Sequence, residues 1–154
     1  MKGSFLALQQ AANLVRDGGR VVNMSTGHTK RPGPRVAAYA STRAAVEYFG
    51  HVPAKERGSR QITVNAVLPG PTDTDGLSPE FRANAEEFVA QTPPGRLGRP
   101  GDITDAVALL VSDDARRVTG QTIAATGGLV LRNPPNARSE GQRDGGSMPS
   151  RRRS

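Results

Sequence analysis

The stretch ITVNAVLPGP, residues 62–71, decides the fold class of this chain. Its first seven residues are rich in β-branched and apolar side chains, a pattern typical of a strand buried inside a sheet, and proline and glycine then end the run. A β-prone run precedes it at residues 20–25, RVVNMS, and another follows at residues 121–125, QTIAA. Helical patterns separate the three runs, so the sequence predicts parallel strands joined by right-handed crossovers in an α/β layer architecture.

The helical patterns have recognisable starts and stops. Spacing of apolar residues and capping signals predict helices over residues 3–16, 38–55, 78–90 and 103–110. Ser78 and Pro79 form a favourable N-cap and N1 pair at the start of the third helix. Pro53 falls inside the second helix, where an interior proline costs on the order of 3 kcal/mol and is expected to kink it.

Composition predicts one domain and a tail. The chain has 154 residues and a net charge of +7, and its share of apolar residues is that of a globular protein. We predict one domain, residues 1–131. Residues 132–154 hold six arginines, two acidic residues and, besides glycine and proline, only two apolar residues, which predicts a disordered basic tail. No run approaches the roughly 18 apolar residues of a membrane span and no leader pattern occurs, so we expect a cytoplasmic protein without membrane contact.

Two classes of partner are disfavoured by residue types. The sequence has no cysteine, which excludes disulfides and thiolate metal centres, and only two histidines, His28 and His51, so we predict no metal site. Segments that bind nucleic acid usually have aromatic residues among their basic ones, and the basic tail has none between its arginines. We therefore do not expect nucleic acid to be a partner.

Polar residues follow the predicted strands where open parallel sheets bind ligands. Thr26 comes directly after the first strand, and the turn Pro69-Gly70 follows the second, with Thr72 and Thr74 just beyond it. The carboxyl ends of these two strands should therefore bring hydroxyl groups together at one edge of the sheet.

One helical pair could carry acid/base chemistry. Tyr39 and Arg43 are four residues apart, which places both side chains on one face of the second predicted helix. A cation beside a phenol favours its ionised form, as a tyrosine acid/base requires. Packing of an arginine stem against a tyrosine ring has the same spacing, and these two residues alone do not distinguish the alternatives.

Taken in order, the segments resemble the C-terminal half of the short-chain dehydrogenase/reductase family, in particular its 3-oxoacyl carrier-protein reductase-like members. The resemblance covers residues 1–130 and rests on GGRVVNMST (18–26), YASTRAAVE (39–47), ITVNAVLPGPTDTD (62–75), GRLGRPGDITDAVALLVSD (95–113) and VTGQTIAATGG (118–128). It implies a doubly wound Rossmann-type parallel sheet of which the N-terminal strands are not in this sequence. Neither G-x-G-x-x-G nor G-x-x-x-G-x-G occurs among the 18 glycines, so the phosphate-binding turn is also missing.

The family resemblance implies roles for individual residues. Tyr39 matches the acid/base tyrosine, and Thr26, thirteen residues earlier, matches the hydroxyl that holds the substrate carbonyl. Arg43 stands where the family has a lysine that binds the ribose, and its planar guanidinium cannot release a proton. The family's catalytic asparagine would fall just before Met1.

The remaining implied contacts concern the cofactor, which is NAD or NADP. Pro69 and Gly70 match the turn against the nicotinamide, and Thr72 and Thr74 match hydroxyls that contact its carboxamide or the diphosphate. The implied substrate is a small carbonyl compound or alcohol.

Three hypotheses remain open at this point. The chain is an NAD(P)-dependent oxidoreductase, or it is a noncatalytic remnant that pairs its open strand edge at Val21 and Val22 with a full-length relative, or Met1 is a residue within a longer natural protein. In relatives the helices at residues 3–16 and 38–55 form a four-helix contact between subunits, so the resemblance also implies a homo-oligomer.

Overall fold

The computed structural model describes residues 1–131, and the predicted basic tail, residues 132–154, lies outside that part of the chain. Three parallel strands form one sheet in the order β1 (Arg20–Met24), β2 (Thr63–Pro69), β3 (Thr122–Ala125). The predicted parallel α/β sheet is thus confirmed. Six of the seven residues of the central strand β2 are buried, which explains its nearly continuous β-prone sequence.

Helices cover both faces of the sheet. They are α1 (Lys2–Leu14), α2 (Ala37–Glu56), α3 (Pro79–Ala83), α4 (Ala85–Gln91) and α5 (Pro100–Val111). On one face, Asn23 of β1 points at Gly50 of α2, since a Cβ on that glycine would lie 3.1 Å from the asparagine Nδ2. Arg20 lies on the opposite face because side chains alternate along a strand, and it pairs with Asp113 just after α5, with 3.7 Å between Nη2 and Oδ1. The chain therefore has the helix–sheet–helix layers of a Rossmann-type fold.

The core lies between the sheet and the pair α1 and α2. Its buried members are Leu8, Ala54, Ile62 and Val64, and Val15, Val21 and Phe49 pack against them half-buried. Phe5 of α1 meets Phe49 of α2 edge to face with ring centroids 5.3 Å apart. These contacts hold α2 against β2, and α2 carries Tyr39 and Arg43.

The second helix continues past Pro53 to Glu56. Pro53 lies in the last turn of α2 and is buried, and its carbonyl still accepts a hydrogen bond from the Arg57 N–H at 3.0 Å. Pro53 lacks the N–H that would donate to the Phe49 carbonyl, and its ring crowds that carbonyl, but the helix continues for three more residues and keeps about its predicted length.

Three predicted helices differ from those observed, and one of them, α5, begins at Pro100 rather than at residue 103. The single helix over residues 78–90 is wrong, because Asn84 (φ −111°, ψ 13°) separates α3 from α4. Its side-chain amide donates to the Glu80 carbonyl at 2.8 Å, and asparagine competes in this way with helical backbone bonds. Ser78 caps α3 as expected, accepting from the Phe81 N–H at 3.2 Å. The first helix ends at Leu14, two residues early.

None of the helices within residues 1–131 combines the length and the apolar character that crossing a bilayer requires.

Candidate functional site

The carboxyl ends of the three strands meet at one edge of the sheet. A Cβ on Gly27, just after β1, would lie 3.1 Å from Thr126 Cγ2 and 3.3 Å from the Pro69 carbonyl oxygen. A Cβ on Gly70 would lie only 2.9 Å from Thr126 Cα. The two glycines therefore let three chain segments approach more closely than side chains would allow, and the convergence of strand ends expected from the sequence is present.

Thr26 sits where β1 turns into a short 3₁₀ helix, Gly27–Thr29. The preceding N–H, that of Ser25, still bonds to the sheet through the Val67 carbonyl at 2.8 Å. Thr26 is buried and extended, and its Oγ1 accepts a weak bond from the His28 N–H at 3.4 Å. Because that contact uses an acceptor lone pair, the hydroxyl hydrogen of Thr26 stays free to donate elsewhere.

Tyr39 and Arg43 lie beside this strand end on the first turns of α2. The Arg43 guanidinium carbon is 5.5 Å from the Tyr39 ring centroid, and its Nη1 donates to the Met24 carbonyl at 3.3 Å. The His28 ring meets Tyr39 edge to face at 6.4 Å between centroids. Tyr39 remains 46% exposed. The structure thus brings Thr26, Tyr39 and Arg43 to one corner, with a cation against the phenol ring.

Pro69 ends β2, and the turn that follows it, with Gly70 and Thr72, lies at the neighbouring position along the edge. The Gly70 N–H bonds to the Ala125 carbonyl at 3.1 Å, and Thr72 Oγ1 donates back to the Gly70 carbonyl at 3.0 Å. The Thr72 hydroxyl hydrogen is therefore engaged within the turn. Thr74 lies beyond the turn on an exposed stretch.

A cavity of about 220 Å³ opens beside this turn, at the ends of β2 and β3. One wall is the ion pair between Arg96 and Asp102. Arg96 donates from Nη1 to Asp102 Oδ2 at 2.6 Å and from Nη2 to Asp102 Oδ1 at 2.8 Å. The Arg99 N–H also donates to Asp102, at 2.6 Å. The hydrogen bond from Arg96, and next that from Arg99, hold the pKa of the Asp102 carboxyl below its usual range. The pair fixes the loop before α5 to the start of that helix.

Sequence reasoning missed a buried carboxylate at this corner. Glu47 is 7% exposed, and its Oε1 accepts a hydrogen bond from Ser25 Oγ at 2.6 Å. Its Oε2 is 3.5 Å from Lys30 Nζ. The available signal was spacing, since Glu47 follows Arg43 by four residues and Tyr39 by eight, on the same face of α2.

Among residues 1–131 no three histidine, aspartate or glutamate side chains gather closely enough to hold a metal ion.

Comparison with known proteins extends these findings. A family model described as Enoyl-(Acyl carrier protein) reductase matches residues 1–130. An uncharacterized oxidoreductase of Methylorubrum extorquens is 42% identical over 130 residues, which are 82% of this chain and 52% of that protein. A chloroplastic NADPH-dependent aldehyde reductase-like protein of Arabidopsis thaliana is 38% identical over 135 residues, which are 84% of this chain and 49% of that protein.

A solved structure agrees with the sequence relatives. The landomycin C-6 ketoreductase LanV with bound NADP and rabelomycin matches with a TM-score of 0.75 and 35% identity, over 85% of this chain and 49% of that one. The chain spans about half the length of the curated relatives it matches. Since the family model matches residues 1–130, which hold the whole sheet, the chain belongs to the short-chain dehydrogenase/reductase family.

Proposed function

We propose that this chain carries the proton-donating part of an NAD(P)-dependent carbonyl reductase site. The observation that carries the proposal is that Arg43 lies 5.5 Å from the Tyr39 ring centroid and also donates to the carbonyl of Met24, the last residue of β1, two residues before Thr26. Two of the similar proteins described above bear names or titles that include NADPH or NADP and the reduction of an aldehyde or ketone, which supports NADPH as the reductant and an aldehyde or ketone as the substrate.

Each residue of the corner has a task in carbonyl reduction. Thr26 donates its free hydroxyl hydrogen to the substrate oxygen and orients the carbonyl. Tyr39 transfers its phenolic proton to that oxygen as the carbonyl carbon is reduced. Arg43 places a positive charge beside the ring, where it offsets the negative charge that develops on the Tyr39 oxygen as the proton leaves. When bound, the dihydronicotinamide supplies the hydride that the carbonyl carbon accepts.

The residues at the edge fit the nicotinamide end of the dinucleotide. Tyr39, Arg43 and Thr74 are exposed or partly exposed polar groups, and Pro69 and Gly70 in the neighbouring turn are partly exposed. These groups would hold the nicotinamide riboside. A cradle for the pyrophosphate is not among them, since the sequence contains no glycine-rich G-x-G-x-x-G turn.

The experiment restores a dinucleotide site. The N-terminal half of the Methylorubrum extorquens relative is fused ahead of Met1, and reduction of an aldehyde or ketone is followed with NADPH and with NADH. Tyr39→Phe should lower turnover at least ~10²-fold, the usual contribution of a general acid. Tyr48→Phe is the matched control, because Tyr48 lies on the same helix, is 68% exposed and points away from the site. Equal turnover of the Tyr39→Phe and unsubstituted fusions would refute the assignment.

A second candidate function rests on the open edge of β1. At one end of β1 the Thr63 N–H donates to the Gly19 carbonyl at 3.1 Å, and at the other end the Ser25 N–H donates to the Val67 carbonyl at 2.8 Å. Residues 19 and 25 therefore face β2. The backbone N–H and C=O groups of successive residues in a strand point to opposite sides, so those of Val22 face away from β2. On that side the sheet has no further strand within residues 1–131. This edge is suited to bind a further strand, and we infer that the N-terminal half of a short-chain dehydrogenase/reductase is the partner.

Hydrogen exchange tests this candidate directly. In the chain alone the Val22 amide should exchange rapidly, whereas the Val21 and Asn23 amides, which face β2, should be protected. Addition of the separately produced N-terminal half of a relative should slow exchange at Val22 at least about tenfold, as a new backbone hydrogen bond worth about 1.4 kcal/mol requires. Strong protection of both Val21 and Val22 in a monomeric sample without the partner would exclude an open edge.

A further inference from the structure

Glu47 is a buried charged group to which the proposed reaction assigns no task. Burying a carboxylate is costly unless hydrogen bonds and an opposite charge compensate for the lost water. Both oxygens of Glu47 are engaged, Oε1 with the Ser25 hydroxyl at 2.6 Å and Oε2 with the Lys30 ammonium at 3.5 Å. The two partners belong to the strand end and to the loop that follows it, so one side chain on α2 joins both parts of the corner.

We propose that Glu47 is a positioning residue that places Thr26 through Ser25 and holds the loop containing His28 through Lys30. The proposal rests on the function proposed above for Thr26. It assigns the two oxygens of one carboxylate to two separate tasks, which single substitutions can distinguish.

The first task is the placement of Thr26. Ser25 has only one hydroxyl hydrogen, and it points to Glu47 at 2.6 Å, with the Arg43 carbonyl at a longer 3.3 Å. The backbone N–H of Ser25 bonds to Val67 in the sheet. Ser25 is thus fixed to β2 by its main chain and to α2 by its side chain. Because Thr26 is the next residue, its hydroxyl is held at a fixed distance from the helix that carries the proton donor.

The second task is the placement of the loop. The Lys30 N–H bonds to the Gly27 carbonyl at 3.0 Å, so Lys30 closes the 3₁₀ turn after Thr26. The pair with Glu47 draws this turn against α2, where the His28 ring packs on Tyr39. Lys30 is 52% exposed, so its contribution is that of a partly screened ion pair and is smaller than that of the buried bond to Ser25.

The test uses three substitutions with separate expectations. Glu47→Gln keeps an oxygen for Ser25 and removes the charge that attracts Lys30. Lys30→Met removes only the ion pair, and Ser25→Ala removes only the hydroxyl bond. Glu56→Gln is the matched control, a glutamate on the same helix that is exposed.

The first readout is hydrogen exchange of the 154-residue chain, which needs no activity. The Thr29 and Lys30 amides bond to the Thr26 and Gly27 carbonyls, and their exchange reports on the turn. Glu47→Gln and Lys30→Met should each speed exchange two- to fivefold, and the double variant should be no faster than either single one. Glu56→Gln should leave it unchanged. Unchanged exchange in Glu47→Gln, or additive effects in the double variant, would overturn the loop assignment.

The second readout is the kinetics of the fused enzyme. Ser25→Ala should lower kcat about tenfold with little change in KM, because it misplaces Thr26, whereas Lys30→Met and Glu47→Gln should raise KM and leave kcat nearly unchanged. A merely structural role would lower the amount of folded enzyme without separating kcat from KM.

The proposed function and the loop assignment can fail separately. A fusion that reduces carbonyls independently of Tyr39 would refute the proposed function, and the exchange result would still decide the loop assignment. An unchanged kcat in Ser25→Ala would overturn the placement of Thr26.

Discussion

Replacing Gly70 with alanine should destabilise the edge of the sheet at which the strand ends converge. The new Cβ would lie 2.9 Å from Thr126 Cα, 3.2 Å from Thr126 Cβ and 3.3 Å from its carbonyl oxygen. Two of these three atoms belong to the backbone, so relief requires the ends of β2 and β3 to move apart. Overpacking of this kind costs about 1–3 kcal/mol, and the alanine regains about 0.4–1 kcal/mol by restricting the unfolded chain. The net loss should be about 1–2 kcal/mol.

Urea unfolding of the 154-residue chain measures this loss. With a slope of about 1–3 kcal/mol per molar for a small domain, the midpoint should fall by about 1 M. Gly101→Ala is the matched control, since Gly101 lies in the first turn of α5 and a Cβ there meets nothing within 4 Å. A Gly70→Ala midpoint equal to that of Gly101→Ala would show that the strand ends are not in the close contact on which the site depends.

Three further predictions concern the site and its surroundings. In the fused enzyme Thr26→Ser should be nearly neutral because the hydroxyl remains, whereas Thr26→Val should lower turnover about tenfold or more, as initial rates will show. Arg43→Lys should raise turnover, because a compact ammonium suits the ribose and keeps a positive charge beside Tyr39; a decrease would show that the guanidinium has another role. The pKa of Asp102 is lowered in the folded chain, so its ion pair with Arg96 adds stability above the ordinary aspartate pKa of about 4, and this stability is lost as the pH falls through the lowered value. Urea midpoints measured across acidic pH should therefore depend less on pH in Asp102→Asn than in the unsubstituted chain.

The sequence predicted the sheet because its signals are local and repeated. The strand over residues 62–68 is bounded by Gln61 and the Pro69-Gly70 turn, and its side chains are those of a fully buried strand, which is what the structure contains. The joining of Thr26, Tyr39 and Arg43 at one corner follows from two simple rules, that parallel strands end at one edge and that residues four apart share a helix face.

The features that sequence reasoning did not find depend on tertiary partners. Asn84 divides a helix because its amide meets the Glu80 carbonyl, and an asparagine within a helical pattern does not by itself reveal that choice. Glu47 has the residue type of a solvated helix face and is buried only because Ser25 and Lys30 reach it from another segment. A charged residue can be buried when partners from distant segments reach it, and the pattern of residues along one sequence does not show which segments will meet.

The parallel order of the strands also governs how the chain folds. Each pairing joins segments more than forty residues apart, as Arg20 with Thr63 and Ala66 with Thr122 show. Closing such long loops costs entropy before any pairing energy is gained, so folding should be slow relative to that of helical domains of this size. Because Thr126 packs against both Gly27 and Gly70, the edge that holds the corner is complete only when the last strand has docked. On a ribosome, that edge cannot form until nearly all of residues 1–131 have been synthesised.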